Sequence, residues 1–194
     1  MEPFVRLDAV ALPIARPNVD TDQIVPARYL QKPRSDNFGD YLFRDVREDP
    51  AFVFNREAYR GARIVVAERN FACGSSRESA VWALFDAGFR CAIAPSFGDI
   101  FRTNGTKNGL LPVVLPAEVV EAIIAQLEAE PGARIAVDLP LQTVTAPDGT
   151  VHPFEIDPFA KHCLLQGLDD FGLTATYEDE IAAFERRYGR ENTL

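Results

Sequence analysis

Apolar positions along the chain follow two alternating rhythms. Residues 63–70 (RIVVAERN) contain a short β-branched run, the pattern of a buried strand. Residues 76–88 then place Ala80, Trp82, Ala83, Leu84 and Phe85 on the apolar side of a helix, with Gly88 as its stop. A second short strand is expected at 91–95, a short helix or turn at 98–107 and a third strand at 110–115. Pro116 opens an amphipathic helix running to 130, whose buried stripe is Val119, Val120, Ile123, Ile124 and Leu127. Strands follow at 135–139, 142–146 and 151–156, the last two joined through the turn Pro147-Asp148-Gly149-Thr150. Helices are predicted near 158–167 and 177–188. The first fifteen residues mix acidic, basic and proline residues without an apolar run, and do not resemble a signal peptide. Residues 33–55 have no period and read as a long loop anchored by Phe38, Phe43, Phe52 and Phe54.

This alternation defines an α/β fold without internal repeats. A chain of 194 residues fits one domain, residues 1–194, with the long loop at about 29–55 and a helical tail at about 158–194. Composition is that of a soluble globular protein, 47% hydrophobic and 25% charged. A net charge of −9 argues against a nucleic-acid surface, although local arginines can still build a pocket for a small acidic substrate. Without a signal peptide or a long apolar segment the expectation is a cytoplasmic protein with no membrane partner. Cys73, Cys91 and Cys163 are odd in number and lack Cys-x-x-Cys spacing, so neither a disulfide framework nor a metal centre within this chain is expected. The sequon Asn104-Gly105-Thr106 is a chance match in such a protein.

Candidate chemistry gathers at Cys73-Gly74-Ser75-Ser76-Arg77-Glu78. Ser75 and Glu78 have the spacing of a capping box at the start of the 76–88 helix. Three features suggest more than a helix start. Gly74 lets backbone approach a ligand. Arg77 is a cation in a first turn, where the helix dipole disfavours it, and an anion to bind would explain it. A helix start after a strand also directs free N–H groups at an anion. A hydrolase elbow is the rival, but Ser75 lacks the flanking glycines of Gly-x-Ser-x-Gly, and His152 and His162 lie far downstream without a clear acid partner. Asp20 and Asp22 could pair as acid and base or bind a metal, yet a turn held by Asx side chains explains them more simply. An intermediate reading lets that loop shape the pocket, with Thr21 or Asp22 reaching a substrate or partner. His162 and Cys163 are assigned to helix packing, and the charges of the last helix to a solvated face.

Several segments, taken in order, resemble one family. Asn18-Val19-Asp20-Thr21-Asp22-Gln23-Ile24-Val25-Pro26 and Asn70-Phe71-Ala72-Cys73-Gly74-Ser75-Ser76-Arg77-Glu78 are similar to signatures of isopropylmalate dehydratase small subunits. Pro95-Ser96-Phe97-Gly98-Asp99-Ile100-Phe101, Asn108-Gly109-Leu110-Leu111-Pro112, Phe154-Glu155-Ile156-Asp157-Pro158-Phe159 and Gly167-Leu168-Asp169-Asp170 follow in the same order. The resemblance spans nearly the whole chain and extends to the C-terminal part of aconitases. It implies a swivelling β/β/α domain that binds no cofactor itself and closes over a large subunit carrying a 4Fe–4S cluster. It also implies hydro-lyase chemistry on a small diacid: 2-isopropylmalate and 3-isopropylmalate interconverting through 2-isopropylmaleate, in leucine biosynthesis. In that scheme Ser75 is the base and Arg77 binds a substrate carboxylate. Gly74, Ser76, Thr21 and Asp22 complete the binding site, and the N–H groups of Ser76 and Arg77 face the charge developing on Ser75. Residues 29–32 lie where the substrate's variable group is selected.

The family usually reads Gly-Cys-Gly-Ser-Ser-Arg-Glu-His-Ala-Pro, whereas this chain has Ala72, Ser79 and Val81 at three of those positions. Ser79, one turn after Ser75 in the predicted helix, replaces an imidazole. That leaves open a hydro-lyase subunit for citramalate, homoaconitate or another alkylmalate, and a non-catalytic interaction paralogue.

Overall fold

The computed structural model describes residues 1–33, 37–75 and 77–191. Seven strands form one curled sheet, and the first of them is its hinge. β1 (Arg6–Ile14) pairs over Arg6–Val10 with β5 (Arg134–Asp138), antiparallel, and over Ala11–Ile14 with β2 (Ile64–Ala67), parallel. Beyond β2 lie β3 (Cys91–Ala94) and β4 (Leu111–Val114), both parallel. Beyond β5 lie β6 (Thr143–Thr145) and β7 (Val151–Pro153), both antiparallel, giving the order β4-β3-β2-β1-β5-β6-β7. Pro13 is tolerated in this central strand because it falls in the half paired on one side only, where its missing N–H breaks no ladder.

Alternation along the strands feeds two cores. Leu12 and Ile14 of β1, with Val65 and Ala67 of β2, face one cluster, while Ala9 and Ala11, with Ile64 and Val66, face the other. The first cluster is covered by α2 (Glu78–Asp86) and the connection from β1 to β2. That connection is a series of short 3-10 turns in which Phe38, Phe43 and Phe52 are buried and Phe54 packs against them. The phenylalanines do anchor it, with ring centroids of Phe43 and Phe52 5.4 Å apart. The second cluster is covered by α4 (Ala117–Ala129), through Val120, Ile123, Ile124 and Leu127. Val119, predicted within that stripe, is only partly buried.

The remaining helices are α1 (Thr21–Ile24), α3 (Asp99–Lys107), α5 (Pro158–Gln166), α6 (Asp170–Ala175) and α7 (Glu178–Glu191). The apolar and charged mixture at the N-terminus forms the central strand β1, which periodicity did not predict. One expectation changes here. His162 is exposed, and α5 packs through Leu164 instead, with Cys163 half-buried. No helix among the described residues is long and apolar enough to cross a membrane.

Candidate active site

β1, β2 and β3 run parallel, so their carboxyl ends emerge along one edge of the sheet. In α/β sheets that edge is where ligand crevices form. The segments leaving the three strands are stitched together there by backbone bonds. Asn18, after β1, donates its N–H to the Arg69 carbonyl at 3.0 Å and accepts from the Asn70 side chain at 2.8 Å. Asp20 and Cys73 form a bridge, in which the Thr21 N–H reaches the Cys73 carbonyl at 3.0 Å. On the far side the Phe71 N–H donates to the Ser96 carbonyl at 3.0 Å, and the Gly98 N–H returns to the Phe71 carbonyl at 2.9 Å. The 70–74 segment is thus held between the other two. Its tight course places Asn70 and Ala72 in the left-handed region, at φ 61° and 56°, and Gly74 at 89°. Ala72 carries a penalty that a glycine there would avoid.

The packing beneath this segment is close. A β-carbon on Gly98 would sit 2.4 Å from the Ala72 carbonyl oxygen. Gly74 has more room, its nearest neighbour being the Asp20 Cβ at 3.6 Å, so its glycine answers to conformation and not to space.

Two predicted groups of residues converge on the exposed Ser75. Thr21, buried at the start of α1, directs its hydroxyl to the Ser75 carbonyl at 3.4 Å. The Arg77 N–H donates to the same carbonyl at 2.8 Å. The Arg77 guanidinium, 17% exposed, forms a short ion pair with Asp22, which also accepts from the Ala27 N–H at 3.1 Å. The hydrogen bond from Arg77 holds the Asp22 carboxyl below the ordinary carboxylate range. Thr21, Asp22, Gly74, Ser75 and Arg77 therefore meet, across more than fifty residues of sequence. Ser76 lies outside the described residues.

Local geometry corrects the helix start. α2 begins at Glu78, its N-cap is Arg77 in an extended conformation, and Arg77 makes no side-chain cap bond. Ser75 is not the cap, and the capping box does not form. The Glu78 carboxylate instead accepts from the Asn108 side chain at 2.8 Å, tying α2 to the end of α3. The Arg77 N–H is engaged by the Ser75 carbonyl and so is not available to a charge on the Ser75 side chain. The anion that an arginine in this position calls for is supplied within the chain by Asp22. Ser79 is buried, at 6% exposure, whereas Ser75 is exposed, so the two do not share a helix face. The Ser79 hydroxyl is buried without a hydrogen-bond partner among the described residues.

Asp20 and Asp22 have separate duties. Asp20 caps α1 through the Gln23 N–H at 2.8 Å, and Asp22 serves Arg77. The Asx reading therefore holds for Asp20 alone. Cys73 is half-buried at the site's edge, Cys91 is buried in β3 and Cys163 belongs to α5. Among the described residues no group of three or more His, Cys, Asp or Glu could hold a metal ion. The supporting bonds of Asn18, Ser96, Gly98 and Asn108 were not foreseen. Their positions lie within or beside the quoted segments, but pairing between strand ends leaves no periodic signal.

The chain that carries this serine–arginine loop at its parallel strand ends belongs to the class of aconitase C-terminal domains. The family model described as "Aconitase C-terminal domain" matches residues 1–118, and one described as "LeuD_N" matches residues 121–158. Within that class, the chain belongs to the family of 3-isopropylmalate dehydratase small subunits. It is 51% identical over 191 residues to the 3-isopropylmalate dehydratase small subunit of Paramagnetospirillum magneticum, covering 95% of each chain. It is 48% identical to that of Leptospira interrogans, covering 96% of this chain and 95% of the relative. The fold matches the crystal structure of 3-isopropylmalate dehydratase (leuD) from Methanocaldococcus jannaschii with a TM-score of 0.70, at 23% identity, over 92% of this chain and 98% of the other.

Proposed function

We propose that this chain is the swivelling small subunit of a cytoplasmic 3-isopropylmalate dehydratase, acting with a large subunit in leucine biosynthesis. The observation that carries the reading is the convergence of Thr21, Asp22 and Arg77 on Ser75, in a chain about half identical to such subunits. The reaction isomerises 2-isopropylmalate and 3-isopropylmalate through 2-isopropylmaleate. The 4Fe–4S cluster belongs to the large subunit and supplies Lewis acidity toward the hydroxyl that leaves.

This chain's residues handle the proton and the carboxylates. Ser75 removes the proton from the carbon next to the one that bears the departing hydroxyl, and the freed electron pair forms the double bond as the C–O bond breaks. Serine is a very weak base, so its alkoxide needs nearby positive charge. The guanidinium of Arg77, two residues away, is one source. The N-terminus of α2 just beyond it is another, worth up to ~2 kcal/mol. Two bonds to the Ser75 carbonyl fix the main chain that carries the base, which is how Thr21 contributes. Asp22 engages one terminal nitrogen of Arg77 and fixes its plane, leaving the other edge of the fork to bind a substrate carboxylate. Gly74 keeps the approach clear of a side chain. Residues 29–32 begin at the end of the 3-10 turn Ala27–Tyr29 that follows α1, and the exposed Leu30 offers an apolar contact to the substrate's variable group.

One observation favours a second reading of the substrate. The Ser79 hydroxyl, buried without a partner among the described residues, stands where the family pattern has an imidazole, and loss of that imidazole is what would favour a related diacid such as citramalate or homoaconitate. Anaerobic reconstitution with the cognate large subunit decides between them. Turnover of 2-isopropylmalate supports the main reading, turnover of citramalate or homoaconitate alone supports the second, and silence on all three leaves a non-catalytic paralogue.

A further inference from the structure

Helix α7 is amphipathic, yet its apolar side joins neither core cluster. Tyr177, Ile181, Phe184 and Tyr188 recur at steps of four, three and four, which aligns them in one stripe. They are 54%, 40%, 54% and 57% exposed. Phe171 on α6 and Phe159 on α5 are exposed as well, at 89% and 59%. A cavity of about 500 Å³ opens between α3, α5 and α6, lined among others by Pro112, Ile156, Leu168 and Leu173. Soluble monomers rarely expose a run of large apolar side chains without a use for it. A fourteen-residue helix whose apolar residues join neither core cluster among the described residues is also marginal in water.

We infer, on the strength of the small-subunit reading above, that this α5–α7 face is where the large subunit grips the chain. Continuity with the active site names the occupant. Glu78, next to Arg77, is bonded to Asn108 at the end of α3, and the neighbouring Lys107 pairs with Asp170 at the start of α6 at 2.9 Å. The apolar face therefore begins two contacts from the mouth of the site, and a chain that covers Ser75 and Arg77 reaches it. A second copy is a poorer match. With the stripes packed antiparallel, Glu178 would face Glu185 of the other copy, offsetting the attraction of Glu180 for Arg187; packed parallel, Glu180 would face Glu185. The acidic first turn, Glu178, Asp179 and Glu180, calls for a partner whose apolar groove is flanked by basic residues.

The test uses the full-length chain carrying Ile181→Glu and Phe184→Glu together, with the reconstituted large subunit. The variant binds at least about 30-fold more weakly in calorimetry, and Phe184→Ala alone about tenfold. Because α7 contributes to neither core cluster, the circular dichroism and thermal midpoint of the isolated double variant match wild type. Its turnover recovers to within about threefold of wild type when the large subunit is raised well above the new Kd. Wild-type affinity in the double variant overturns the inference. So does an effect confined to the oligomeric state of the isolated chain, which would make a second copy the occupant. If wild type itself neither binds the large subunit nor turns over with it, the small-subunit reading fails, and this placement of the interface with it.

Discussion

Gly98→Ala isolates the claim that the strand-end ladder, and not the loop by itself, positions Ser75. Gly98 has an ordinary negative φ of −60°, so alanine meets no conformational penalty there. The obstacle is space: the new β-carbon would lie 2.4 Å from the Ala72 carbonyl oxygen and 3.3 Å from the Cys73 Cα. Protein Cβ contacts essentially never fall below 3.0 Å, so the two backbones must separate by at least about 0.6 Å. The bonds from Phe71 to Ser96 and from Gly98 to Phe71 oppose that movement. Overpacking of this kind costs roughly 1–3 kcal/mol, or about 2–12 °C in melting temperature for a chain of this size. The displaced residues lie just before Ser75, and a misplacement of about 1 Å can cost ~100-fold in rate. A loss of about tenfold or more in kcat/KM is therefore expected in the reconstituted enzyme. Gly149→Ala is the matched control. It sits at φ 85° in the β6–β7 hairpin with nothing within 4 Å of its β-carbon, so strain alone costs roughly 1–2 kcal/mol. That variant should melt lower but turn over normally. Gly98→Ala with turnover within twofold of wild type would refute the reasoning, as would equal losses of activity in both variants.

Three other substitutions probe the site's charges and its buried hydroxyl. Arg77→Lys keeps the charge but loses the fork, and should raise KM and lower kcat/KM by roughly 10- to 100-fold, in line with charged hydrogen bonds worth ~1.5–3 kcal/mol. Asp22→Asn removes a carboxylate whose folded pKa is depressed by Arg77. Its pair with Arg77 contributes fully above the unfolded carboxylate value of about 3.9 and is lost as pH falls through the lower folded value. Because Asp22 is more than half exposed, wild type should exceed Asp22→Asn by at most about 1 kcal/mol at neutral pH, converging in strong acid; urea titrations that diverge toward acid would contradict this. Ser79→Ala deletes a buried hydroxyl with no partner among the described residues and should be neutral or stabilising by up to about 1 kcal/mol. A loss above that in urea unfolding would mean the hydroxyl is satisfied.

Much of the fold was legible because periodicity and burial agree. The stripe of Val120, Ile123, Ile124 and Leu127 marked α4, and the β-branched run at 64–66 marked β2. β1 was missed because its two halves face different neighbours and Arg6, Asp8 and Pro13 interrupt its apolar pattern, so no single strand template fits. The start of α2 was misplaced by two residues. Ser75 and Glu78 have capping-box spacing, but contacts remote in sequence, from Thr21 to the Ser75 carbonyl and from Asn108 to Glu78, claimed the groups that a cap would use. Arg77 was singled out as needing an anion; that it pairs with Asp22 depends on strand ends brought together by parallel pairing. A single sequence does not display that.

The role of Ser75 as base is the central claim, and Ser75→Ala tests it most directly. The variant is reconstituted anaerobically with the large subunit, complex formation is verified, and conversion of 2-isopropylmalate is followed by product analysis. Loss of a positioned base predicts a rate lower by roughly 100- to 10,000-fold with complex formation unchanged. An unaltered rate in the intact complex would contradict the account.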